Sequence, residues 1–460
     1  FTLGTGKTLS AGDINAAADI TGSLTSQGTI QPGGSSALGT ISGLTNLTLG
    51  GTLLWERSGN STNCDSFAIN GTLTISPGFA ITPSALGFPI GGAKTYTVVS
   101  GLTAALTSGD IANLPVLPDN YAWDTTDPTA LKITHTQPGA NLVWKGNVSG
   151  VWDLASANWN NGAPGAIYVE GDYCTIDDTA IAKTIQIPAD INPGAVLVNN
   201  TISNDITLES VEGRGIAGAA PLIKTGAGTL VLLSSNIHTG GTTLTEGMIS
   251  FSNGSLSTAG PIYMDGGTLQ WQTGNNQSVS ANITFLTGKT PVFDTNDNDV
   301  VFATGIGNGS TSGIKKTGLG TLTLSGTGTY TGDTEILEGA IAAGTNTALG
   351  TSLVVIGTSN EEAAIMLSNR SDIPNNVTVS AVGTGNVILG ADNTGSGANA
   401  ATFLGTITLN RPTIFSGEVL ADRLAFDGKI TGNVGTITVT GGSRTTFFNT
   451  TNDFVGSMLI

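Results

Sequence analysis

The chain has 460 residues, of which 11% are charged, with 16 Lys and Arg against 33 Asp and Glu and a formal charge of −17. Ordinary domains are about 25% charged, so this exterior is built from other polar residues, and the lack of clustered bases excludes nucleic acid as a partner. Apolar residues still make up 39% and Gly fills 66 positions, which excludes a disordered chain and suits many short strands joined by Gly turns.

In chain order, Asp13–Ile20 predicts one short helical turn, and no 3.6-residue apolar stripe is sustained elsewhere. No run of 18 apolar residues occurs, so no transmembrane segment of helical type is expected. Cys64 and Cys174 are the two cysteines. With no CxxC and no Cys/His cluster, zinc is not expected. A disulfide between them, within one chain or between neighbouring subunits, and a pair of thiols both fit. A five-residue cue, Gly-Thr-apolar-Thr-apolar, begins at Gly71, Gly320, Gly405 and Gly435, with a near match at Gly228. Such alternation puts apolar residues on one face of a strand and Thr on the other. The leading Gly suits a corner where φ is positive.

A longer repeat overlies this cue. Lys224-Thr225-Gly226-Ala227-Gly228-Thr229-Leu230-Val231-Leu232 returns as Lys316-Thr317-Gly318-Leu319-Gly320-Thr321-Leu322-Thr323-Leu324, an offset of 316 − 224 = 92 positions. The offset holds at Thr239-Gly240 and Thr331-Gly332, at Thr242 and Thr334, and at Glu246-Gly247 and Glu338-Gly339, while His238 falls on Tyr330. A worn third copy runs through Gly435-Thr436-Ile437-Thr438-Val439 to Asn452-Asp453-Phe454-Val455-Gly456. Strands of four to six residues with Gly corners predict an all-β parallel β-helix, whose rungs bury their inner faces only by stacking. At rungs of roughly 20–25 residues the chain makes about 20 of them, a rod on the order of 90–100 Å at about 4.8 Å per rung. A string of β-sandwiches is the competing fold, since 92 residues also fits one sandwich domain.

The candidate chemistry is sparse. His238 occupies a repeat position, and His135 lies in the alternating Ile133-Thr134-His135-Thr136 with no nucleophile motif around it. Asp172, Asp177 and Asp178, and separately Asp294, Asp297 and Asp299, are the acids a polysaccharide-cleaving β-helix would need. They lie in Gly/Asn-rich turns, where Asp binds its own backbone. Asp294, Asn296, Asp297 and Asp299 also resemble the opening of a calcium loop, without its sixth-position Gly or twelfth-position Glu. Trp144, Trp152 and Trp159 form either a sugar-stacking platform or a hydrophobic cover at a module start.

Residues 223–250 and 314–341, with the degenerate copy at 429–460, resemble the autotransporter-associated β-strand repeat, K-x-G-x-G-T-L-x-L followed by a Y-T-G-x-T step and a closing Gly. Trp144-Lys145-Gly146, Trp152-Asp153 and Asn158-Trp159 resemble the opening that precedes such repeats. Leu114-Pro115-Val116-Leu117-Pro118 with Trp123-Asp124 resembles the end of a preceding module. The resemblance implies right-handed β-helices of Gram-negative surface passengers, arranged as one segment over 1–140 and a module over 141–460. It implies an extracellular, cell-surface protein and is nearly silent on chemistry; with the sparse candidate residues above, no cofactor and no catalytic residues are expected, and the chain reads as structural, a fibre or filament subunit or a segment of a giant chain. Its partners are then itself by end-to-end stacking, flanking modules, or glycans if the rod is an adhesin. The chain carries no membrane barrel after Ile460 and starts on a strand at Phe1, which fits either a slice of a longer protein or copies that cap one another.

Overall fold

The computed structural model describes the chain except residues 1, 4–7, 13–21, 34–37, 59–60, 87–91, 119, 138, 211, 287, 369–370, 393–400, 418–422, 442–443 and 448. The predicted helical turn at Asp13–Ile20 lies outside the described residues. The chain divides into two compact units, Phe1–Leu142 with Val169–Tyr173, and Val143–Tyr168 with Cys174–Ile460. Short strands dominate both, and the fold is a parallel β-solenoid of about 17 turns.

The first unit opens with parallel rungs. Gly22–Ser26 pairs Thr40–Leu49, and Thr52–Ser58 pairs Ala80–Leu86, each in parallel register. Leu24, Leu47 and Leu73 stack inward along one column. The unit then leaves the solenoid pattern. Gly92–Leu102 and Tyr121–Asp124 both run antiparallel to Ala130–Gln137, the former with a bulge between Thr97 and Val99. The helix Ser108–Ala112 lies between Gly92–Leu102 and Tyr121–Asp124, closed at its start by a Thr107–Asp110 capping box.

The second unit is built on a 12-stranded sheet from Thr184–Ile187 to Ile430–Thr431. One inward column passes through Leu230, Ile249, Leu269, Phe293, Lys316, Ile336, Ile356, Val379 and Leu409, each the Cα partner of the next. All nine are fully buried. Period-two alternation explains it: Ile314 and Lys316 point in while Lys315 points out. Neighbouring rungs in register lie 19 residues apart between Leu230 and Ile249, 20 between Ile249 and Leu269, and 24 between Leu269 and Phe293.

The 92-residue repeat does not return to the same face. In the first copy the lysine strand Leu222–Thr225 lies in a nine-stranded sheet and Thr229–Leu232 in the 12-stranded one. In the second copy the lysine strand Ile314–Thr317 is itself in the 12-stranded sheet, and Thr321–Leu324 has moved to an eight-stranded sheet. Four steps along the 12-stranded sheet lead from Leu230 of the first copy to Lys316 of the second, so two different positions of the motif share one column. The nine-stranded sheet ends at Ile283–Phe285 and the eight-stranded sheet begins at Val300–Phe302, so the second copy falls one face further on.

Candidate functional site

The repeat carries the chemistry of the second unit, and its centre is a buried cation. Lys224 and Lys316 are both fully buried in otherwise apolar inward columns. Lys316 Nζ donates to the carbonyls of Thr317 at 2.9 Å, Gly318 at 2.6 Å and, one rung on, Glu338 at 3.1 Å. Lys224 makes the same set with Thr225 at 2.7 Å, Gly226 at 2.5 Å and Glu246 at 3.4 Å. The Gly turn aims several carbonyls at one point, and the ammonium satisfies acceptors that water cannot reach. Burial pulls both ammonium groups down to about 8, opposed for Lys224 by Glu246 and Asp205 and for Lys316 by Asp294, Glu338 and Asp299.

The closing Gly of the motif belongs to the same construction. Gly339 has φ +65°, and a Cβ there would lie 2.5 Å from the carbonyl oxygens of Gly318 and Gly320 and 2.9 Å from Lys316 Nζ. Gly339→Ala is expected to cost at least about 2 kcal/mol through strain and displacement of the lysine. A urea midpoint unchanged from wild type would contradict this close packing.

The residues His238 and Tyr330 also coincide. His238 Nε2 shares a hydrogen bond of 3.0 Å with Thr242 Oγ1, and Tyr330 Oη one of 2.8 Å with Thr334 Oγ1. Each ring is fully buried, and burial pushes His238 down to about 4. Because the folded value lies below the ordinary 6.5, the stability is complete above about pH 6.5 and is lost as pH falls toward 4. A loss of up to about 3 kcal/mol relative to His238→Gln is expected over that window; parallel pH-stability curves for the two proteins would count against it.

Other cations and amides bind backbone in the same way. Arg411 donates to the carbonyls of Gly357 at 2.8 Å, Gly383 at 3.2 Å and Gly385 at 2.5 Å, joining successive rungs. Asn298 Nδ2 lies within hydrogen-bond reach of the carbonyls of Trp271, Gln272, Thr295 and Asn296. In the first unit Arg57, almost wholly buried, donates to Tyr121 Oη at 2.9 Å and Tyr96 Oη at 3.3 Å, and its Nη2 sits 3.4 Å from His135 Nε2. Sequence reasoning missed Arg411 and Arg57 because their partners lie 26 to 78 positions away. The buried lysines did have a signal, the alternation that counts Lys316 inward from Ile314.

The residues singled out from sequence take structural places. His135 is pushed down to about 4 by burial, Arg57 and Lys94, and its ring packs 4.0 Å from Tyr121. Asp172 accepts the backbone N–H groups of Ala140 and Val169, Asp177 that of Thr179, and Asp178 that of Thr201. In the calcium-like loop, Asp294 accepts from the Asn296 N–H and from Gln270 Nε2, and Asp299 from the Thr321 N–H. Among the described residues no three metal-binding side chains converge. Asp294 and Asp299 act instead as counter-charge to Lys316. The Cys64 thiol donates to the Thr97 carbonyl at 3.3 Å, and Cys174 is fully buried in the strand Tyr173–Asp177.

The tryptophans are no sugar platform. Trp144, Trp152 and Trp159 are fully buried, edge to face with one another and with Tyr168 at centroid distances of 4.9 to 5.5 Å. A flat ligand cannot reach their faces. Beside them the buried Asn158 accepts the N–H groups of Val148 and Ser149 and donates to the Val151 carbonyl, which fixes the loop after Gly146.

Comparison with known proteins agrees with this architecture. The passenger-associated-transport-repeat family matches residues 222–250 and 314–343, the two segments with buried lysines. Over 250 residues the chain is 30% identical to the "Adhesin BmaC autotransporter" of Brucella suis biovar 1 (strain 1330), a stretch that covers 48% of this chain and 7% of that relative. No solved structure matches the chain. The chain is therefore a β-solenoid that carries two passenger-associated-transport repeats and is similar over part of its length to an autotransporter adhesin, which indicates an extracellular or cell-surface protein.

Proposed function

We propose that the chain is a structural rod segment of a long surface passenger, whose task is stiffness and resistance to proteolysis rather than catalysis. The observation that carries this reading is the 12-stranded sheet of the second unit, continuous from Thr184–Ile187 to Ile430–Thr431. Its rungs share one apolar column, and its corners are held by Lys316 and Arg411. Little backbone is left loose for a protease. The acids that cleavage of a polysaccharide would need are engaged by turns and by Lys316.

Limited proteolysis of the purified chain tests this. A resistant core covering most of 174–460 is expected, and rapid cutting throughout those residues would overturn it. Light scattering on the same sample separates a segment, monomeric in solution, from a filament subunit that stacks on itself. A second reading, an adhesin, is supported by the name of the Brucella relative. It predicts retention of the chain on host cells or glycans.

A further inference from the structure

The nine-stranded sheet of the second unit ends at the strand Ile283–Phe285. Above it the next rung supplies side chains in place of a strand. Asn308 Oδ1 accepts the Phe285 N–H at 2.9 Å, Asn308 Nδ2 donates to the Phe285 carbonyl at 3.3 Å, and Ser312 Oγ donates to the Leu286 carbonyl at 3.1 Å. Beside this step the surface holds a groove of about 300 Å³, at the small end of the roughly 300–1,000 Å³ that ligand sites occupy.

Three successive rungs line it, through Thr290, then Thr311, Gly313 and Lys315, then Asp333 and Glu335. Gly313 packs against backbone so closely that a Cβ would lie 1.9 Å from the Asp333 carbonyl oxygen, so no side chain can grow there. Lys315 Nζ is 2.6 Å from Glu335 Oε2, which holds both charged heads in place. Asp333 Oδ1 accepts from Ser352 Oγ at 2.5 Å and from the Leu353 N–H at 3.2 Å. The lining thus offers the hydroxyls of Thr290 and Thr311, beside that of Ser312 already given to the Leu286 carbonyl, with two carboxylates and one ammonium in a small volume and an excess of one negative charge.

We infer that this groove is a binding site for a neutral sugar, one or two rings of an uncharged glycan. Vicinal hydroxyls both donate and accept, which matches fixed carboxylates beside an ammonium and threonines. The negative excess disfavours sialylated or sulfated sugars and phosphates. The absence of an aromatic wall keeps affinity low, so such a site works through many copies on one cell surface. This site is independent of the rod reading, since a rod with no affinity for sugars remains a rod.

The test is calorimetric titration of the full chain with lactose, cellobiose, maltose and chitobiose, with sialyllactose as the charged probe. At least one neutral disaccharide is expected to bind with millimolar affinity, weakened at least ~10-fold in Glu335→Gln and in Lys315→Ala. Thr311→Val, which leaves the ion pair intact, is expected to weaken it ~3-fold or more and covers the case in which a charge variant misfolds. No binding by wild type up to about 10 mM sugar, binding unchanged in all three variants, or tighter binding of sialyllactose would each overturn the site.

Discussion

Replacement of Lys316 by Met is expected to cost about 3–5 kcal/mol, although both side chains fill similar space. Methionine leaves the carbonyls of Thr317, Gly318 and Glu338 without their donor in a place that excludes water. The neighbouring Lys315→Met should cost less than about 1 kcal/mol, because that lysine is 41% exposed and its ion pair with Glu335 is screened. A solenoid need not unfold as one unit, so the readout is local amide exchange. Exchange in Ile314–Thr317 and Thr334–Ile336 should accelerate by at least ~100-fold in Lys316→Met and stay near wild type in Lys315→Met. Equal behaviour of the two variants would show that Lys316 is not the buried member of the pair. Raising pH does not mimic the substitution. The folded value of about 8 lies below the ordinary 10.5, so the charge itself costs the folded state, and stability rises as pH climbs through 8 toward 10.5. A neutral amine still donates two of the three hydrogen bonds, whereas Met removes all of them.

The tryptophan cluster gives the second large effect. Trp152→Ala is expected to cost about 3–5 kcal/mol, since the fully buried indole leaves a cavity against Trp159 and Tyr168. Trp152→Phe should cost below about 1.5 kcal/mol, because it keeps the ring contact and Trp152 Nε1 has no hydrogen-bond partner among the described residues to lose. Trp144→Phe should cost about 1 kcal/mol more than Trp152→Phe, because Trp144 Nε1 donates to the Ala182 carbonyl at 2.9 Å and its removal orphans that oxygen. Guanidinium unfolding followed by tryptophan fluorescence reads all three. A Trp152→Ala protein as stable as wild type would mean that the indole is exposed, as a sugar platform would require.

Much of the solenoid was legible because alternation and Gly corners have one geometric meaning. Gly320-Thr321-Leu322-Thr323-Leu324 reads as a corner and a strand with Leu322 and Leu324 inward, and both leucines are buried. His238 could be assigned as a rung position from its alignment with Tyr330, and the two side chains bond equivalent threonines. The inward lysines were in the same alternation but contradict the habit that charge faces water, and only the convergence of three carbonyls resolves the conflict. Arg411 and Arg57 left no local trace, since what pairs with them is brought close by rungs far along the chain. The shift of the second repeat to another face was likewise hidden. It depends on the nine-stranded sheet ending at Ile283–Phe285 and another beginning at Val300–Phe302, and a fixed 92-residue offset does not say which face a strand joins. The antiparallel strands closing the first unit depend on long-range pairing between Gly92–Leu102 and Ala130–Gln137, which short alternating segments do not encode.

The most direct test of the solenoid itself is a cross-link between outward neighbours on adjacent rungs. Thr378 and Thr408 are Cα partners in parallel strands although 30 positions apart in sequence. Strand spacing of about 4.8 Å falls within the roughly 4.4–6.8 Å that a disulfide spans. Thr378→Cys with Thr408→Cys is expected to oxidise quantitatively without loss of the protease-resistant core, while Thr378→Cys with Thr431→Cys, two rungs apart, does not. Failure of the first pair to link, or equal linking of both, would contradict a stack of rungs in this register and favour separate sandwiches.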